Sequence, residues 1–178
     1  MSQEITVRDL SFKPFISHEA ILTRVKEMAL NIEKDYKDRN PVFLVVLTGA
    51  FRLAGDMASF IDFPCEWDFI KLSSYKDTRS TGAVDIEFDL TMDVKGRDLI
   101  ILEDIIDTGL TMHFYMEYLK KHAPLSVRLA SLLIKKEAMV YPVHIDYPGF
   151  FIENKFVVGY GLDYNHSGRN LNDLWQVI

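Results

Sequence analysis

At 178 residues, with 48% hydrophobic and 26% charged residues, the chain has the size and composition of one globular domain with a sizeable core. A formal net charge of −6 argues against a nucleic-acid protein, which carries a basic face; the single cysteine, Cys65, excludes an internal disulfide and a zinc cluster of cysteines. No N-terminal apolar region resembles a signal peptide and no apolar run reaches the length of a membrane span, so a cytoplasmic location without membrane contact is expected.

Residues 4–12 are short and mixed, and read as an edge strand. Ser17 can cap a helix running to about Lys37, because Ile21, Val25, Met28, Ile32 and Tyr36 recur at three- and four-residue steps and form one apolar stripe. Asn40 and Pro41 end that unit. Residues 42–47 are continuously apolar, a buried strand; Thr48 and Gly49 make a turn, and a helix follows to about Phe60. Residues 65–74 read as a strand with partial alternation. Residues 75–82, with Lys76, Asp77, Arg79 and Ser80, read as a polar, mobile loop. Val84, Ile86, Phe88 and Leu90 alternate with polar neighbours, which predicts a half-exposed strand over 83–90. Gly96 turns the chain into a second continuous apolar run. A helix is expected over 112–122 and a further strand over 126–134. From Pro142 the pattern loosens into short apolar runs, Gly159, Gly161, Gly168 and many aromatics.

Strands alternating with helices predict an α/β fold: a doubly wound, mostly parallel sheet of about five strands flanked by helices. The chain reads as one domain over 1–178. Its core is expected at about 17–140, and the terminal segments, 1–16 and 141–178, as a small hood over the carboxyl edge of the sheet.

The chemistry gathers at residues 99–111. Leu99, Ile100, Ile101 and Leu102 make a short buried strand, bounded by the acidic Glu103, Asp104 and Asp107 and by Thr108, Gly109, Leu110 and Thr111. In an open α/β sheet, ligands sit outside the carboxyl ends of the strands. Three carboxylates within five positions repel one another unless a cation lies nearby, and Mg²⁺ prefers carboxylate and shared substrate oxygens. Residues 107–111 offer free N–H groups and two hydroxyls at a helix start, a phosphate cradle in which Gly109 allows close approach. A plain helix cap accounts for Asp107 or Thr108 alone, and not for the whole pattern. Thr48 and Gly49 suit either a second anion site or a simple strand-to-helix turn. Lys135 and Lys136 suit either a solvated strand end or a ligand contact, and the segment from Ser73 to Gly82 reads on composition as a solvated hairpin tip.

Residues 99–111, with the run from Lys155 to Asn165, closely resemble the type I phosphoribosyltransferases, and among them the 6-oxopurine, hypoxanthine-guanine branch. The likeness extends over roughly residues 40–175. It implies that Glu103 and Asp104 hold the ribose hydroxyls and Mg²⁺, with Asp163 holding a second Mg²⁺ through water. It implies that Thr108, Gly109, Leu110 and Thr111 bind the 5′-phosphate of phosphoribosyl pyrophosphate, and that Asp107, also part of that site, is the proton acceptor at the purine N7. Pyrophosphate would meet Thr48, Gly49 and Arg169. The family often has a lysine and a non-proline cis peptide at the first of these; with Thr48 in the lysine's place, backbone binding is what the resemblance implies. Lys135 would meet the purine's exocyclic oxygen and Phe156 would stack on the ring, with Val157 and Asp163 at the base edge. Ser74 and Tyr75, with Thr81 and Gly82, match the two ends of a lid that closes over the reacting centre, excluding water.

The implied activity is purine salvage: transfer of the phosphoribosyl group to hypoxanthine or guanine, giving the nucleoside monophosphate and pyrophosphate, Mg²⁺-dependent, in a homodimer or homotetramer. The rival class is a nucleotide-sensing regulatory RNA-binding protein on the same fold, for which the acidic balance is unfavourable. No Gly-x-x-x-x-Gly-Lys-[Ser/Thr] and no Gly-x-Gly-x-x-Gly occurs, which removes phosphate-loop triphosphatases and dinucleotide-binding folds.

Overall fold

The computed structural model describes residues 4–74 and 84–178. In chain order the elements are β1 (Ile5–Val7), β2 (Leu10–Ile16), α1 (His18–Tyr36), β3 (Val42–Leu47), α2 (Phe51–Phe60), β4 (Glu66–Ser74), β5 (Val84–Phe88), β6 (Asp98–Ile106), α3 (Leu110–Lys120), β7 (Ser126–Ile134), β8 (Tyr147–Phe151), β9 (Val157–Val158) and β10 (Leu174–Val177). A short 3₁₀ turn, Lys136–Ala138, follows β7. Among these residues no helix is long and apolar enough to cross a membrane.

α1 forms where the apolar stripe requires it. Ser17 caps it by accepting a hydrogen bond from the Ala20 N–H, and Ile21, Val25, Met28, Ala29, Ile32 and Tyr36 are buried along one face. That face packs with α2 on one side of a six-stranded sheet of order β5-β4-β3-β6-β7-β8. β3, β4, β6, β7 and β8 run parallel, and β5 is an antiparallel edge strand. α3 covers the opposite face through Met112, Tyr115 and Leu119, packed with Leu99 and Ile101 of β6. Ile100 and Leu102 of the same strand point the other way, toward α1 and α2. Both faces are therefore buried, which is why β3 and β6 read as unbroken apolar runs. The doubly wound reading holds.

Three boundaries differ from the sequence reading. β8 joins the main sheet beside β7, with Ala130 opposite Tyr147 and Leu133 opposite Phe150, so the chain re-enters the core after residue 141. Pro148 and Gly149 disguise it. Proline is tolerated on an edge strand, and a Cβ at residue 149 would lie 2.2 Å from Leu132 O, so the strand's mid-point must lack a side chain. Residues 4–16 form a hairpin of two strands, not one edge strand. β2 then pairs with β10, and β10 with β9, to build a separate antiparallel hood sheet of order β1-β2-β10-β9 around Phe12, Val158 and Trp175. Finally, β6 continues to Ile106, so Glu103 and Asp104 belong to the strand and not to the loop after it.

Candidate active site

The site lies at the carboxyl end of β6. Successive side chains of a strand point to opposite faces, so Glu103 and Asp104 diverge. Glu103 turns toward the α3 side and lines a cavity of about 260 Å³ with residues 105–112. Asp104 turns toward α2, where Gly49 makes room: a Cβ at residue 49 would lie 1.5 Å from Asp104 Oδ2. Burial raises both acids. Glu103 is held well above the usual carboxylate range, chiefly by desolvation and then by the charge of Asp104. Asp104 is pushed up to about 6 by burial, against the opposing pull of backbone N–H groups and of Arg169. Glu103 Oε2 is buried without a hydrogen-bond partner. Among the described residues no three His, Cys, Asp or Glu side chains converge as a ready-made ion site. What fits is a hard cation that takes one or two carboxylate oxygens and completes its shell from elsewhere, and an orphaned buried carboxylate oxygen suits it.

Residues 107–111, the expected phosphate cradle, lead from β6 into α3. Gly109 is left-handed, with φ of 80°, and stands at the N-cap of α3; a Cβ there would lie 2.1 Å from Tyr141 O. Only glycine meets both conditions. α3 has no side-chain cap, apart from a 3.4 Å contact of the Leu110 N–H with the Thr108 hydroxyl, so its first-turn N–H groups are left for a ligand in the cavity, alongside Thr111. From behind, the Val140 and Tyr141 N–H groups both donate to Thr108 O at 2.9 Å and pin the loop.

Lys135 follows β7 and its backbone N–H donates to Ile106 O, which sets it level with the end of β6. Its side chain is 8% exposed, and Nζ donates to Asp107 Oδ2 at 3.0 Å; Asp107 is 51% exposed. Phe156, 41% exposed, precedes β9, with its ring edge-on to Tyr164 at 5.7 Å, and Val157 is buried beside it.

The Leu47–Thr48 peptide is cis. Gly161, with φ of 100°, packs so closely on this loop that a Cβ would lie 2.1 Å from Gly49 O. Arg169 Nη1 donates to Gly161 O at 2.7 Å, and Nη2 pairs with Asp163 Oδ1 at 2.6 Å. Asp163 Oδ2 accepts from the His166 N–H. Asp163 and Arg169, expected to meet separate ligand groups, are partners of each other. Of the expected lid, Tyr75, Thr81 and Gly82 lie outside the described residues, and of Ser74 only the backbone is described. The sequence reading missed the strap of residues 139–141 behind Gly109, and also Arg52, Asp56 and Tyr160. The four-residue spacing of Arg52 and Asp56 on one helix was the sole local sign of the latter.

The family model for a phosphoribosyl transferase domain matches residues 15–165. The chain belongs to that family. This phosphoribosyltransferase is 41% identical over 158 residues to the hypoxanthine-guanine-xanthine phosphoribosyltransferase of Tritrichomonas foetus, with 87% of the chain and 85% of the relative covered. It is 40% identical to the hypoxanthine-guanine phosphoribosyltransferase of Streptococcus pneumoniae, over 89% of each chain. Among solved structures, that of a hypoxanthine-guanine phosphoribosyltransferase from Bacillus anthracis superposes with a TM-score of 0.88 at 37% identity, covering 93% of this chain and 98% of its own. The hypoxanthine phosphoribosyltransferase of Trypanosoma cruzi superposes with a TM-score of 0.89 at 31% identity, covering 98% and 95%.

Proposed function

We propose that this phosphoribosyltransferase performs purine salvage, joining hypoxanthine or guanine to phosphoribosyl pyrophosphate to give IMP or GMP and pyrophosphate. The observation that carries the reading is the Lys135–Asp107 pair beside the phosphate-loop cavity. Lys135 has three donors and no acceptor, which suits a 6-oxo group, and Asp107 next to it suits the purine N7 and its proton. Thr108, Gly109, Leu110 and Thr111 bind the 5′-phosphate through backbone N–H groups and hydroxyls. Phe156 stacks on the base while the Val157 backbone meets its edge. Thr48, Gly49 and Arg169 receive the pyrophosphate.

Glu103 and Asp104 would hold Mg²⁺ with substrate oxygens, and Asp163 a second ion through water. The metal, when bound, neutralises negative charge on the leaving pyrophosphate. The protein's own part is to orient: the cradle fixes the phosphate end, Lys135 fixes the base, and Asp107 accepts the ring proton as the nitrogen bonds to the sugar carbon. A cytoplasmic homodimer or homotetramer belongs to the same reading. No observation favours the RNA-binding alternative.

A purine panel with phosphoribosyl pyrophosphate and Mg²⁺, followed by absorbance, is the test. Hypoxanthine and guanine should react. Adenine's 6-amino group would face the Lys135 donors in a dry pocket, and sites built to hydrogen-bond one group reject such an analogue by roughly 10⁴–10⁵. Xanthine should be poor, because its 2-oxo group would meet backbone carbonyls near Val157 and Asp163. Use of adenine as readily as hypoxanthine overturns the assigned base site.

A further inference from the structure

α2 starts two residues after Gly49, and its first turns are fastened to the hood by contacts that none of the subsites uses. Arg52 Nη1 donates to Leu171 O at 3.0 Å and to Asn170 O at 3.3 Å, and Nη2 donates to Asn172 Oδ1 at 3.0 Å. The same guanidinium lies over the Tyr160 ring, 5.2 Å from its centroid. Tyr160 is 1% exposed; its hydroxyl donates to Asp56 Oδ2 at 2.5 Å, one turn beyond Arg52 on α2, and its N–H donates to Leu171 O at 2.8 Å. Two residues on one side of a helix thus grip the segment 160–172 at both its ends. The helix can bear this because Leu53, Ala54 and Met57 anchor it in the core.

The gripped segment carries Gly161, Asp163 and Arg169. Gly161 lies on Gly49 O, and its own carbonyl receives Arg169 Nη1. An irregular loop left to itself would have to be ordered each time a ligand bound, which weakens binding. Arg52 removes that cost, since its planar fork satisfies three acceptors in a fixed geometry that lysine cannot reproduce.

We propose that Arg52 is a positioning residue for the pyrophosphate end of the site: by clamping residues 170–172 and Tyr160 onto α2, it holds Arg169 in register with the Gly49 loop. The proposal rests on the reading of Gly49 and Arg169 as the pyrophosphate subsite. Its consequence is selective. Ligands that carry a pyrophosphate depend on the clamp. IMP, which uses the phosphate cradle, Lys135 and Phe156, all outside the gripped segment, and has no 2-substituent to meet Asp163, does not.

The test compares the wild-type chain with Arg52→Met, which keeps the apolar stem and loses the fork, and with Arg52→Lys. KM for phosphoribosyl pyrophosphate and for pyrophosphate in the reverse reaction should rise on the order of tenfold in Arg52→Met, with a smaller rise in Arg52→Lys. Kd for IMP, by calorimetry, should stay within about twofold. Asn172→Ala, at an exposed position, removes one of the three hydrogen bonds, and should show the same selectivity with a smaller rise; it serves if Arg52→Met does not fold. Unchanged pyrophosphate KM, even with a lower Tm, makes Arg52 a structural staple and overturns the proposal. An IMP Kd weakened by the same factor as the pyrophosphate KM overturns it too. A wild-type protein that transfers nothing would instead overturn the proposed function.

Discussion

In the proposed reaction Asp107 is the residue on which the chemistry turns. It stands between the phosphate cradle and Lys135, whose ammonium lies 3.0 Å from its Oδ2. An ion pair there orients the carboxylate, and in the proposed reaction its other oxygen meets the purine. General base catalysis contributes roughly 10²–10⁴ in rate, so Asp107→Asn should lower kcat by about that factor with little change in KM for phosphoribosyl pyrophosphate. Steady-state kinetics with hypoxanthine decides: a nearly unchanged kcat with a sharply raised KM for phosphoribosyl pyrophosphate makes Asp107 a phosphate-binding group. The residue types at Asp107 and Lys135 were legible from the sequence and the resemblance. Their pairing was not, because it depends on β6 and β7 ending at the same level.

Elements repeat the lesson on a larger scale. α1 was legible nearly to the residue, since a cap and a stripe are local signals. Ser17→Ala should cost about 1 kcal/mol, seen as a lower urea midpoint with an unchanged slope, and should leave kcat intact because Ser17 is far from the cradle in the chain and touches none of it. No change in the midpoint would mean the cap bond adds nothing to folding. β8 was illegible because its sequence, Tyr147, Pro148, Gly149, Phe150 and Phe151, carries two strand breakers. An edge position and the closeness of Leu132 O make both acceptable.

For the molecule as a whole, the arrangement of acids predicts how metal matters. Glu103 is buried and Asp104 part-buried on opposite faces of β6, and no third ligand among the described residues joins them. The fold around them is closed by apolar packing on both faces of the sheet. Chelation should therefore abolish transfer, with Mg²⁺ or Mn²⁺ restoring it, while circular dichroism and Tm stay close to their starting values. Full activity in excess chelator would remove the metal from the reaction; collapse of the fold would make it structural.

What the sequence determined by itself is what lies close together along the chain: the apolar runs of β3 and β6, the stripe and cap of α1, the turn at Gly109, and the residues 99–111 and 155–165 that carry the family likeness. Each is written in neighbouring positions and needs no partner. Tertiary structure alone decided the rest. β2 meets β10 only when residues 12–16 find residues 174–177, and Arg52 reaches Leu171 from more than a hundred positions away. Asp163 closes on Arg169, and Gly161 settles on Gly49, because the hood folds back over the sheet's carboxyl edge. Such contacts follow from which faces the core leaves exposed and how closely two backbones can approach, and neither quantity exists until the chain has packed.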